Sequence, residues 1–325
     1  MGIMSKRFIF WVKLLACVVL VGVVGWQMHG QWKVITGHPL KIEWAYMPAA
    51  LGGFAGLMLT SGLVWVWMAR QMGDRSPVLR LMGAYVFSQM FKYIPGKVAL
   101  LLARIDRAGR VGMDARVVTL STLLENLMYM VSGALVGAAT VGFYARENTK
   151  LLLTMVAMVA GILAVCHPRV FYFVVDRALA KFKRPPVDAA HRMSMWKLLL
   201  AVFMFLPCWL FGGLAAWASV RCCGGMVGAE DLLKLPGAFA ASVIGGMAVA
   251  VTPGGVGARE TIMLLVLKGV TDAQALVVSV AFGRLFQVTV ELTLGMIGMG
   301  LTARRGKMAN DESQMANQIQ STNNE

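Results

Sequence analysis

Six stretches of this chain are apolar for about twenty residues or more, at 8–28, 45–68, 117–144, 151–175, 196–220 and 273–301. A hydrocarbon layer about 30 Å thick is crossed by roughly 20 helical residues. No water is available there to satisfy backbone amides, so runs of this length read as membrane-spanning helices. Composition agrees: 58% of residues are hydrophobic, 14% are charged, and mean hydropathy is +0.67. A water-soluble domain needs a richer charged shell. Positions 1–305 therefore read as a single polytopic membrane domain. The first run follows Lys6 and Arg7 as a signal peptide would, but it is too long for one and lacks a small-residue cleavage site, so it reads as a retained span. Pro207 is expected to kink the fifth run. Residues 306–325 are polar and aperiodic, and are expected to be a disordered cytoplasmic tail.

Two further apolar segments do not fit this mould. The segment 78–94 is broken by Pro95-Gly96 and continues only over 98–104; the segment 235–251 is broken by Pro253-Gly254-Gly255 and continues only over 256–268. Each second arm is too short to cross. Basic residues orient the chain, since loops rich in Lys and Arg stay on the cytoplasmic side. Lys6, Arg7 and Lys13 place the N-terminus inside, as do Arg70, Arg75 and Arg80 for the next loop and Arg104, Arg107, Arg110 and Arg116 for the one after. The Arg146-Glu147 loop is then outside, Arg169 to Lys197 inside, 221–234 outside, and Arg304, Arg305 and Lys307 inside. The first broken segment thus leaves and returns on the cytoplasmic face, the second on the outer face. Both termini are expected to be cytoplasmic, in an inner membrane. The excess of 31 Lys and Arg over 16 Asp and Glu reads as topology and attraction to anionic lipid headgroups, not as nucleic-acid binding.

The breaks superpose without a gap. Pro95-Gly96-Lys97-Val98 lies over Pro253-Gly254-Gly255-Val256, and Asp114-Ala115 over Asp272-Ala273 at the same offset. Part of the second match is ordinary N-cap chemistry. Three full runs lie between the breaks, an odd number, so repeats over about 77–144 and 235–302 must be inverted. The expected fold class is an all-α integral membrane protein with about six full transmembrane helices and two re-entrant broken-helix hairpins in an inverted repeat. Such hairpins meet near the bilayer midplane in many transporters. There the amides opening at Val98 and Val256 would offer a positive helix end to an anionic group such as phosphate. Close helix packing through small residues is the other reading of the same turns.

Charge inside the apolar runs narrows the site. Glu125 lies about 15 Å beyond Ala115 and Arg284 about 18 Å beyond Asp272, both near mid-bilayer, where a charge must face protein or water. Near equivalence in the repeat leads us to expect a Glu125–Arg284 ion pair, either facing substrate or fixing the packing. Glu291 stands two turns beyond Arg284 on the same face. Lys92, Lys97 and Arg104 flank the first turn; Gly257, Arg259 and Glu260 follow the second. An Arg fork suits phosphate, whereas Lys92 and Arg104 read equally well as positive-inside anchors. The candidate substrate-binding set is Pro95, Gly96, Lys97, Arg104, Glu125, Pro253, Gly254, Gly255, Gly257, Arg259, Glu260, Arg284 and Glu291. There is no GxSxG, P-loop or HExxH pattern, so no catalytic residue and no enzyme activity is expected. His29, His38, His167 and His191 are not within helical reach of one another, and the five cysteines lack metal or disulfide spacing, so no metal or cofactor is expected.

The stretch QMFKYIPGKVALLLARIDRAGRVGMDA, followed by LLEN and later by TPGGVGARE and GRLFQ, resembles the lysylphosphatidylglycerol synthase transmembrane-region family. The resemblance runs from about Phe8 to Leu301. That family includes the flippase part of the bacterial multiple-peptide-resistance protein, archaeal proteins of lipid-linked glycan assembly and hopanoid-associated membrane proteins. It implies a flippase-like role on an anionic phospholipid or lipid-linked sugar. The alternative is a non-transporting membrane partner of a lipid-modifying or glycan-assembly enzyme. Glu125 and Arg284 match the family's Glu in the span after the first break and its Arg in the last span. Asn126 and Tyr129 stand where members often have Arg and Asp, and Ala99-Leu100 where many have Gly-Glu. No soluble segment of these 325 residues would hold an aminoacyl-transferase domain, so lysyl transfer is not expected.

Overall fold

The structure is a computed structural model, and it describes residues 42–94, 98–144, 167–181, 185–248 and 257–322, with isolated positions at 22, 29, 32, 36, 153, 160 and 161. Run 8–28, most of run 151–175, and both turns, with Pro95, Gly96, Lys97, Pro253, Gly254 and Gly255, lie outside the described residues.

Among the described residues, regular structure is helical: α1 Met47–Gln71, α2 Val78–Gln89 with a 3-10 extension Met90–Tyr93, α3 Val98–Gly109, α4 Ala115–Tyr144, α5 Pro168–Lys181, α6 Met195–Met204, α7 Leu206–Cys222, α8 Lys234–Ala248, α9 Ala258–Val266 and α10 Ala273–Thr322. Four stretches are long and apolar enough to cross a membrane: Trp44–Gln71, Ala115–Thr140, Ala189–Cys222 and Ala273–Thr302. They coincide with four of the six expected runs. The third is interrupted at Phe205, just before Pro207, whose ring displaces the carbonyl four residues back and whose nitrogen donates nothing. Large apolar side chains such as Leu79, Trp196, Phe203 and Leu210 stand on the outside. In water such a surface would aggregate; in lipid it is the solvated face.

Two expectations are corrected. The run 151–175 does not continue unbroken, because the chain bends at His167 and a new helix starts at Pro168, which fits a first helical turn but not a helix interior. The tail is not without structure: α10 runs on through Thr322. Gln is the commonest residue over 306–322, and extending an existing helix avoids the cost of nucleation.

The last span is the axis of the bundle. Of its most apolar window 67% is buried, against 50%, 44% and 50% for the other three. The long helices α4 and α10 begin as the Asp-Ala pairs anticipate. Asp114 Oδ1 accepts the Arg116 N–H at 2.6 Å, and Asp272 Oδ2 accepts those of Gln274 and Ala275 at 2.9 and 3.1 Å.

The helices flanking each break fold back on one another. Ser88 on α2 meets Arg104 on α3, and Leu81 shares a core with Ala108. A Cβ at Gly245 on α8 would strike Ile262 on α9, while Leu235 shares a cluster with Leu267 and Val270. The open end of the first pair sits by the far end of the last span, where Arg107 Nη1 reaches Thr302 Oγ1 at 3.3 Å. The open end of the second sits by Leu276, near the start of that span. The two pairs therefore approach α10 from opposite ends.

Packing between the two halves is reciprocal. The first arm α2 runs antiparallel along α10, with Gly83 against Gly298 and Met90 against Gly295. The first arm α8 runs antiparallel along α4, with Gly237 against Thr140, Ala241 against Gly137 and Ile244 against Gly133. Gly137 and Gly295 are separated by the same offset as the two Pro-Gly turns, 295 − 137 = 253 − 95. Small residues let these backbones approach where no hydrophobic drive separates protein from lipid.

Candidate functional site

Buried charges gather in two places. The first lies between α2, α3 and α4. Arg104 is 0% exposed and pairs through Nη1 with Glu125 Oε2. Its Nε donates to Ser88 Oγ at 3.0 Å and its Nη1 to Thr122 Oγ1 at 3.3 Å. The guanidinium lies over the rings of Tyr85 and Trp65, at 4.4 and 5.0 Å from their centroids. The other oxygen of Glu125 accepts the Tyr85 hydroxyl at 2.8 Å, and the Trp65 indole donates to Ser121 at 3.0 Å. Desolvation makes a lone buried ion costly, and here both ions are paired and hydrogen-bonded.

This overturns the expected Glu125–Arg284 pair. Glu125 is paired with Arg104 because α3 folds back beneath α4, which a reading of Arg104 as a surface anchor does not anticipate. The anchor reading of Arg104 falls with it, since the side chain is buried.

The second place lies along α10, where Arg284, Gln287 and Glu291 share one face. Arg284 is about 16 Å by helical rise from Ala273, and Glu291 about the same from Thr302, so both are at mid-depth. The first helix pair reaches Glu291: Lys92 Nζ lies 2.5 Å from Oε1 and the Tyr93 hydroxyl donates to Oε2 at 2.7 Å. Gln287 Nε2 also donates to Glu291, at 2.8 Å. The second helix pair reaches Arg284, whose Nε lies 2.8 Å from Glu260 Oε1. That contact has ion-pair distance without hydrogen-bond alignment, and Oε1 makes no hydrogen bond. Glu260 Oε2 accepts the Gly257 N–H at 2.7 Å, capping α9 where Gly257 adopts φ +86°, a conformation L side chains rarely take.

Arg259 lies beside them. Its guanidinium stands 5.8 Å over the Phe239 ring, and its Nε is buried without a hydrogen-bond partner. Arg259, Glu260, Arg284 and Gln287, with Ser219, Ser242 and Ser279 and an apolar wall including Phe54 and Phe239, line a half-open cavity of about 50 Å³. The three serine hydroxyls donate to the carbonyls of Ala215, Phe239 and Leu276, so the groups that could hold an anion small enough to enter are the two guanidiniums.

Of the candidate set, the structure brings Arg259, Glu260, Arg284 and Glu291 onto or beside one face of α10, places Gly257 at the cap of the same helix as Glu260, and puts Arg104 and Glu125 in a separate pair. Sequence reasoning passed over Tyr85, Ser88 and Thr122, whose types carry no signal, and Tyr93. It also passed over Gln287, which was legible as a polar residue one turn from Glu291 in an apolar span. Tyr129, at a position often acidic in the resembled family, is stacked on Trp209 at 4.4 Å and against Phe205 at 5.4 Å, so it supports the core.

The chain is thus a polytopic α-helical membrane protein in which two folded-back helix pairs deliver charge to the middle of a central span. Residues 10–295 match the family model described as the lysylphosphatidylglycerol synthase TM region, and the chain belongs to that family. No curated protein matches it.

Proposed function

We propose that the protein binds the anionic headgroup of a phospholipid or lipid-linked sugar between its two helix pairs and carries it between the leaflets of a bacterial inner membrane. On this reading the pairs are re-entrant hairpins of an inverted repeat, both termini are cytoplasmic, and the protein acts without covalent chemistry. The observation that carries the reading is Arg259: a guanidinium with a buried, unpartnered Nε, beside Arg284 and lining a mid-depth cavity. A buried cation in a membrane is expensive unless something compensates it, which marks such a position as a binding site by default.

The test is headgroup accessibility in proteoliposomes of neutral lipid doped with labelled phosphatidylglycerol, cardiolipin or a glycosylated lipid phosphate. Wild type should speed exchange of at least one of these, and Arg259→Ala should cut that effect about tenfold. Equal rates in protein-free and wild-type vesicles for every lipid would sink the transport reading.

One observation favours a second reading, a non-transporting membrane partner of a lipid- or glycan-modifying enzyme. The cavity, at about 50 Å³, holds a water or two and not a whole headgroup, so this conformation would have to open before transport. Headgroup binding without exchange would select that reading.

A further inference from the structure

This inference rests on the anion-binding reading. The contrast between the two buried ion pairs points to one carboxylate as the occupant of the anion site. Glu125 is held by Arg104 and Tyr85, and Arg104 by two hydroxyls and two aromatic faces. Glu260 has none of that support on the atom that meets Arg284: Oε1 sits at ion-pair distance, unaligned, at the edge of the cavity. Its side chain is 15% exposed, against 6% for Arg284. The other oxygen is tethered to the Gly257 amide of its own helix.

We infer that Glu260 is a built-in surrogate anion: it occupies the place on Arg284 that a phosphate oxygen of the ligand takes, and the ligand binds by exchange with it. Arg284 also donates to Gln287 Oε1 at 3.4 Å, and exchange keeps an anionic oxygen at its Nε throughout, which offsets part of the cost of burying the charge. The incoming phosphate finds Arg259 already unpartnered at Nε and takes the Arg284 Nε edge as Glu260 swings off, still capping α9. The apparent affinity of the empty site is lowered by the fraction of time Glu260 occupies it.

The experiment uses the full-length protein in neutral-lipid nanodiscs, titrated with short-chain phosphatidylglycerol and separately with inorganic phosphate. Glu260→Gln keeps the shape and removes the competing charge, and should tighten phosphatidylglycerol binding about tenfold. Glu260→Asp, which keeps the charge but retracts it by one methylene, should tighten it less; if Glu260→Gln does not fold, Glu260→Asp carries the test alone. Tightening for both probes identifies the phosphate group as the exchanging ligand; tightening for phosphatidylglycerol alone identifies the lipid headgroup, and both outcomes support exchange. If wild type binds phosphatidylglycerol and the variants bind it equally or more weakly, exchange is wrong while the binding reading stands. If neither wild type nor any variant binds either probe, both are wrong.

Discussion

The Arg104–Glu125 pair and the Arg259–Glu260–Arg284 cluster are built from the same chemistry at similar depth, and they differ in how far each charge is satisfied. Around Arg104 and Glu125, Tyr85, Ser88, Thr122 and two aromatic faces complete the hydrogen bonding and close the space. Around Arg259 and Arg284, Glu260 is divided between Arg284 and the Gly257 amide, the Arg259 Nε lacks a hydrogen-bond partner and a cavity remains. Complete satisfaction makes a charge part of the scaffold; incomplete satisfaction next to space leaves it free to meet something else.

The largest test of that contrast is to break the scaffold pair. Arg104→Ala should leave Glu125 as a lone buried carboxylate and cost about 3–5 kcal/mol, read as a large fall in Tm in detergent micelles. Arg104→Met with Glu125→Leu together should recover most of the loss, and a double variant as unstable as the single one would break the comparison. Next is Gly298→Ala, whose methyl would collide with the Gly83 carbonyl oxygen and push α2 off α10. It should cost about 1–3 kcal/mol in thermal unfolding. Arg259→Ala should reverse the balance, with lipid exchange falling about tenfold, or about 1.4 kcal/mol in the barrier, while Tm stays level or rises because an undercompensated buried cation is gone. A fall in Tm like that of Arg104→Ala would place Arg259 in the scaffold. The smallest effect is expected from Tyr93→Phe, which removes one of the donors to Glu291 and should cost about 1 kcal/mol; Lys92 and Gln287 still hold the carboxylate.

Much of this architecture was legible. Apolar runs located the four spans, the Asp-Ala pairs located the starts of α4 and α10, depth marked Glu125 and Arg284 as inward-facing, and helical spacing from Arg284 added Glu291. Pairing was not legible. Glu125 and Arg284 look like partners when the repeats are laid over one another, yet Glu125 meets Arg104 and Arg284 meets Glu260.

Sequence by itself determined that this chain lives in lipid, where two of its long helices begin, and which charges must point inward, because hydrophobic length, N-cap chemistry and the cost of a charge in hydrocarbon are properties of a segment taken alone. Only the tertiary structure decided that one buried ion pair is closed and the other borders a cavity. Salt-bridge choice depends on which helices become neighbours and on the angle at which each side chain arrives. Those are set by the antiparallel return of α3 and α9 and by glycine contacts between distant segments, which no local pattern encodes.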